Sequence, residues 1–249
     1  MAVSLPVLTF HDLDNRPDPI SFQPAAFRKG LSRLREKGFR TLPLAEAIKS
    51  IKEKKDFPDS SLVITFDDGF RSVYTEAYPA LQENGFSATI FLITGRKRIR
   101  PGECLPSHDN RSMLSWEEVR EMESSGMDFG AHTLTHPELP LLSPGEMERE
   151  ILDSKTIIED FLSRPVTSFA YPFGRADRRI RETVREHFQG ACSAELGLVS
   201  SGSDPWFLER VETFYLRRER HFDLLSSSLL PWYLRARGLP RRIRNLASA

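Results

Sequence analysis

Short apolar runs alternate along this chain with longer stretches in which apolar residues return every three or four positions. Val7 to Phe10 reads as a strand, and Pro24 to Lys37 as a helix with Phe27, Leu31 and Leu34 on one face, ended by Gly38. Arg40 to Leu42 follows as a short strand and Leu44 to Lys54 as a helix. Leu62 to Phe66 has the composition of a fully buried strand and stops abruptly at Asp67, Asp68 and Gly69. Tyr74 to Asn84 is a helix stopped by Gly85, and Ala88 to Ile93 the next strand. Ser115 to Ser124 opens with a capping-box pair, Ser115 and Glu118. Met127 to Ala131 is a strand running into His132, and Ser143 to Leu162 a long amphipathic helix. Ser168 to Tyr171, Ala191 to Ala194 and Leu208 to Val211 are the remaining strands, with a helix from Arg178 to His187 among them.

Seven or eight alternations of strand and helix without a composition break predict an α/β fold with a parallel sheet, closed into a barrel at this length. The expected organisation is one domain over residues 1–216 and a C-terminal appendage over 217–249. In that appendage Arg235, Arg237, Arg241, Arg242 and Arg244 stand without an acidic neighbour, interleaved with Leu229, Leu230, Trp232, Tyr233 and Leu234. A basic amphipathic segment of this kind lies either on its own barrel or on an anionic membrane surface. The formal net charge of zero gives no global pull toward nucleic acid. Two cysteines, Cys104 and Cys192, read as unrelated thiols rather than a disulfide framework. Met1 to Val7 is too short for a signal peptide, and no run approaches the roughly 20 apolar residues of a membrane span. The chain therefore reads as cytoplasmic, with peripheral contact at the inner membrane through the tail as a further expectation. Arg96 to Arg111 reads as an irregular basic loop, a substrate clamp or a disordered stretch.

Polar clusters fall where predicted strands stop, and strand ends share one open face of a parallel barrel. His11 and Asp12 follow the first strand, Asp67 and Asp68 the Leu62–Phe66 strand, and His132 and His136 the Met127–Ala131 strand. Asp-Asp-Gly is ordinary turn chemistry, but adjacent carboxylates repel unless they share a cation or a proton. Two histidines with three residues between them can reach one ion, and imidazole with carboxylate is a common donor set for Zn²⁺; the plain alternative is a pair of surface histidines. Tyr171, Pro172, Phe173 and Gly174 form an aromatic turn beside the same face, or simply a core plug.

Thr65-Phe-Asp-Asp-Gly69, His132-Thr-Leu-Thr-His136 and Tyr171-Pro-Phe-Gly174 resemble, in order and approximate spacing, the motifs of the polysaccharide deacetylases, over roughly residues 5 to 212. The resemblance implies a distorted (β/α)₇ barrel and one divalent cation held by Asp68, His132 and His136. Zn²⁺ is the expected ion, with Co²⁺, Mn²⁺, Ni²⁺ or Fe²⁺ as alternatives. It implies Asp67 as catalytic base, and Tyr171, Pro172 and Phe173 as the substrate and oxyanion wall. The family's arginine ahead of the Pro-aromatic-Gly turn is missing, since Phe169, Ala170 and Tyr171 stand there; Arg175 or Arg210 would have to partner Asp67. The family's C-terminal Leu-x-His is also absent. Leu8-Thr-Phe-His11-Asp12 at the other end resembles the branch of exopolysaccharide de-N-acetylases, which implies His11 as general acid. The implied substrate is an N-acetylated glycan in a polymer, an oligosaccharide or a lipid-linked precursor. Alternatives are another acyl substrate (an O-acetyl ester, an N-formyl sugar, a small amide) and an inactive sugar-binding relative.

Overall fold

The structure is a computed structural model that describes residues 4–95, 111–217 and 219–246, with side chains left out at 219, 220 and from 239 on. Cys104, His108 and all but the last residue of the Arg96–Arg111 loop lie outside the described residues.

The chain runs β1 (Val7–Phe10), α1 (Pro24–Glu36), β2 (Arg40–Thr41), α2 (Leu44–Lys52) and β3 (Ser61–Phe66). It continues with α3 (Tyr78–Asn84), β4 (Thr89–Leu92), α4 (Trp116–Ser124), β5 (Asp128–Ala131), α5 (Pro144–Leu162) and β6 (Ser168–Ala170). Then come α6 (Arg178–His187), β7 (Gly190–Leu196), β8 (Leu208–Glu212), α7 (Glu219–Phe222) and α8 (Leu230–Leu246). Ser115 caps α4 as its sequence predicts: its hydroxyl accepts from the Glu118 N–H at 3.1 Å and its own N–H donates to the Glu118 carboxylate at 2.8 Å. The helix expected from Tyr74 is interrupted, with a π-turn at Val73–Ala77 preceding α3. Pro79 has no N–H to donate four residues back, and the turn before it widens.

Seven parallel strands close in the order β1-β8-β7-β6-β5-β4-β3, with β1 pairing β3, a distorted (β/α)₇ barrel. The short β2 lies outside the ring, because β3 divides its edge: Ser61 and Leu62 pair β2, while Thr65 and Phe66 pair β4.

Alternation along each strand sorts residues between two apolar layers. Leu8, Phe10, Ile64, Phe66, Ile90, Leu92, Phe129 and Phe169 face the helices. Val7, Val63, Phe91, Ala170, Cys192 and Leu208 fill the barrel, together with Leu44, Ala47, Ile48 and Ile51 of α2. Gly130 of β5 is required by this filling, since a Cβ there would lie 2.5 Å from the Phe91 ring.

Phe222, Leu225, Leu230 and Leu234, beyond Arg217, join the outer layer. Phe222 packs over α1 at Gly30, where a Cβ would come within 2.6 Å of its ring. Among the described residues no helix is long and apolar enough to cross a membrane.

Candidate active site

The parity that fills the barrel also aims polar groups into its mouth. Two residues beyond inward Val63 is Thr65, and two beyond that is Asp67; on β8, Arg210 stands two beyond inward Leu208. These residues meet. Arg210 donates to both Asp67 carboxylate oxygens, at 2.8 and 2.7 Å, in a fully buried bidentate pair. The same guanidinium donates to the Ser193 carbonyl at 2.7 Å and to the Thr65 hydroxyl at 3.3 Å, which fixes its plane. Burial alone would push the Asp67 carboxyl up; the charge and hydrogen bonds of Arg210 outweigh it, and the group sits below the usual carboxylate range. Arg210 in turn is held more firmly protonated than a free guanidinium, by Asp67 against the cost of burial. Below the pair, Cys192 is buried, and burial pushes its thiol up to about 12, which leaves it unreactive as a thiolate.

Asp68, His132 and His136 form a second group. His132 Nε2 lies 3.4 Å and His136 Nε2 3.6 Å from Asp68 Oδ1, and one donor atom from each residue falls within 4.8 Å of the others. Ligands about 2 Å from a common ion lie roughly 3–3.5 Å apart, so the spacing suits a small divalent cation. The hydrogen bonding suits it too. His132 Nδ1 donates to the Ala170 carbonyl at 2.7 Å, which leaves the Nε2 position facing the carboxylate. Asp68 Oδ1 is buried and accepts no hydrogen bond from the described residues. A neutral imidazole lone pair facing a carboxylate oxygen is repulsive unless a proton or a cation lies between them. Without a cation the proton wins: burial disfavours charged His132, but Asp68 and Asp67 outweigh burial and raise its affinity for a proton. Burial likewise raises Asp68, and the imidazoles of His132, His11 and His136 bring it well below the usual range.

The segment from His132 to His136 is folded tightly, with Thr133 and His136 at positive φ. Several of its donors have local acceptors. The His136 N–H donates to the Thr133 hydroxyl at 2.9 Å. The Leu134 N–H, Thr135 N–H and Thr135 hydroxyl all donate to the carboxylate of Glu150, at 3.0, 2.9 and 2.8 Å. Glu150 is buried on α5 and was not singled out in the sequence. The signal was present: it stands beside Met147, Ile151, Ser154 and Ile158, the face of α5 that is buried, where an unpaired carboxylate would be costly.

His11 is partly exposed, and its Nε2 lies 3.8 Å from Asp67 Oδ2. Its neighbour Asp12 is turned away, its carboxylate held by Arg111 and Ser72. Phe173 stands 55% exposed at the rim with its ring 4.6 Å from that of His136. It has positive φ, as does Gly174, where a Cβ would fall 2.3 Å from that of Ala194. Asp68, Thr133, His136 and Phe173 are four of the seven non-glycine residues with positive φ among the described residues. Each such conformation costs on the order of 1–3 kcal/mol, and their concentration at one mouth marks it as functional.

A cavity of about 300 Å³ joins these parts, lined by His11, Asp67, Asp68, His132, His136, Tyr171, Phe173, Arg210 and Glu212 among others. Two expectations change, those for Arg175 and Pro172, and that for Tyr171 is narrowed. Arg175 is at the surface on Glu138, so of the two arginines Arg210 alone is paired with Asp67. Tyr171 lines the cavity but is buried, and its hydroxyl is taken up by the Trp206 carbonyl at 2.9 Å. Pro172 is buried in the turn and does not line the cavity.

The polysaccharide deacetylase family profile matches residues 54–188, more than half of the chain. YxkH of Bacillus subtilis (strain 168), whose name places it in the same family, is 28% identical over 208 residues, covering 83% of this chain and 70% of that protein. The poly-beta-1,6-N-acetyl-D-glucosamine N-deacetylase of Staphylococcus aureus (strain MSSA476) is 28% identical over 204 residues, covering 77% of this chain and 67% of that one. Among solved structures the Streptococcus pyogenes deacetylase PplD in complex with acetate superposes with a TM-score of 0.76 at 24% identity, over 85% of this chain and 93% of the other, a likeness of fold. The barrel, its mouth and the matched residues agree: the chain belongs to the polysaccharide deacetylase family and is a hydrolase acting on amide bonds.

Proposed function

We propose that the mouth of the barrel removes N-acetyl groups from an amino sugar within a glycan. The observation that carries this reading is the placement of two carboxylates with opposite surroundings side by side: Asp67 bound to Arg210, Asp68 facing two imidazoles. Asp68, His132 and His136 would hold one divalent cation, for which Zn²⁺ suits the donors. Such an ion, when bound, polarises an acyl oxygen and makes water more acidic.

The remaining work falls to this chain's own residues. Asp67, ionised at neutral pH through Arg210, takes a proton from the attacking water at a carboxylate oxygen. Arg210 keeps that carboxylate oriented in both of its protonation states. His11, beside Asp67 at 3.8 Å and partly exposed, gives a proton to the departing sugar nitrogen as the C–N bond breaks. A backbone N–H at Phe173 serves the developing oxyanion, on a turn whose conformation Gly174 permits. The Phe173 ring offers a flat apolar face to a pyranose. The S. aureus and S. pyogenes names, one with an N-acetylglucosamine polymer and the other with acetate, support the acyl group and sugar chosen. An inactive sugar-binder would have no use for a buried carboxylate held ionised by a dedicated arginine.

Acetate release from β-1,6-linked N-acetylglucosamine oligomers, measured with the Zn²⁺-supplemented enzyme, tests the proposal. The wild type is expected to release acetate, and Asp67→Asn to lose about 10³-fold or more in kcat. Near wild-type turnover in Asp67→Asn would remove Asp67 from the role of base.

A further inference from the structure

Helix α8 sets one apolar stripe against the barrel and carries a large apolar residue, Trp232, on the side away from it. In the stripe, Leu230 and Leu234 are buried in the outer core layer, and the Tyr233 hydroxyl donates to the Tyr215 carbonyl at 2.9 Å. These contacts fix the helix's rotation and turn Trp232 outward, 74% exposed, with Leu229 just ahead of the helix 63% exposed. In the sequence after Trp232, apolar residues recur at helical spacing, at Ala236, Leu239, Ile243 and Leu246. Scattered single apolar residues on a surface are ordinary, but a tryptophan opening a repeat of this length is not.

The charges point in one direction. From Leu224 to Leu246 there are five arginines, Arg235, Arg237, Arg241, Arg242 and Arg244, and no acidic residue. Because the whole chain is formally neutral, the remainder carries an excess of five acidic charges, 0 − 5 = −5. An anionic plane therefore attracts this end of the molecule and repels the rest, which orients the protein as well as holding it. Tryptophan prefers the headgroup level, and arginine beside it pairs with lipid phosphate.

We propose that the outward face of α8 docks on an anionic lipid bilayer. It lies in the interface plane without crossing. The docking places the barrel beside glycans held at a membrane surface, and it stands apart from the chemistry proposed for the mouth.

Cosedimentation of the full chain with vesicles of phosphatidylglycerol and phosphatidylcholine in equal parts, against phosphatidylcholine alone, tests it without any enzyme assay. The wild type is expected to partition to the anionic vesicles and to leave them as salt is raised. Trp232→Ser, at an exposed position that leaves the fold's melting temperature unchanged, is expected to weaken partitioning by ~10-fold. Arg235→Gln with Arg237→Gln is expected to weaken it by ~5-fold per charge. Point changes are chosen because truncation ahead of Leu225 would strip core residues. Absence of wild-type binding, equal binding to phosphatidylcholine, or full binding by Trp232→Ser would each overturn the proposal. A concentration-dependent dimer dissolved by Trp232→Ser, with no vesicle binding, would assign the face to a second copy of the chain instead.

Discussion

The two sides of the barrel mouth are made differently. Asp67, Asp68 and His132 stand just beyond the ends of β3 and β5 and Arg210 within β8, all buried, facing one another or the backbone. His11 and Phe173 come from loops, reach the rim and remain in part exposed. The buried side cannot reorganise, because its charges are fixed by strand parity and by bonds such as Arg210 to Ser193. The exposed side can meet a substrate and change its contacts. In the proposed mechanism preorganised charge falls to the first and recognition with proton delivery to the second, a division that suits hydrolysis of a neutral amide.

Breaking the buried side should cost most. Arg210→Met leaves the Asp67 carboxylate buried without its partner and is expected to lower stability by ~3–5 kcal/mol at neutral pH, read from denaturant melts. The pH dependence sharpens this. Asp67 lies below its ordinary value in the folded protein, so the stability it brings is present above about pH 4, the unfolded range, and is lost as pH falls through the folded value. The gap between wild type and Arg210→Met should therefore be widest at neutral pH and narrow on acidification. A gap independent of pH would mean that the pair does not control stability. On the exposed side, His11→Gln should leave the melting temperature and metal content unchanged and reduce kcat by ~10². A loss of metal instead would move His11 from proton donor to ligand support.

The smallest effect is expected at the support behind the histidines. Glu150→Gln keeps an acceptor for the Leu134 and Thr135 donors but removes the charge, and should weaken metal affinity by ~10-fold. Competition with a chromophoric chelator reads this directly, and unchanged affinity would reduce Glu150 to a fold residue.

Much of this was legible in the sequence. The strands announced themselves as apolar runs, and strand ends in a parallel barrel can only share one face, so Asp67, Asp68, His132 and His136 could be grouped in advance. The partner of Asp67 could not be chosen by proximity in sequence, because Arg210 reaches it across 143 positions while Arg175 lies on the turn beside the mouth. Parity would have decided it, since Arg210 follows Leu208 by two on a strand and Arg175 lies on no strand. Tyr171 was harder. Its backbone is at the mouth, but whether its ring faces cavity or core depends on the hydroxyl's partner, the Trp206 carbonyl, which no local pattern announces. The π-turn before α3 was hidden for the opposite reason: an amphipathic period continues across it, and only Pro79 signals the break.

The metal content of the purified chain tests the central claim most directly. Wild type and His136→Ala, prepared without chelator and loaded with Zn²⁺, are compared by elemental analysis after removal of free ion. About one ion per chain is expected in the wild type, with ligand spacing of the kind found here, and none in His136→Ala. Equal metal in both, or none in the wild type after loading with Zn²⁺, Co²⁺ or Mn²⁺, would contradict the assignment of Asp68, His132 and His136 as a metal centre.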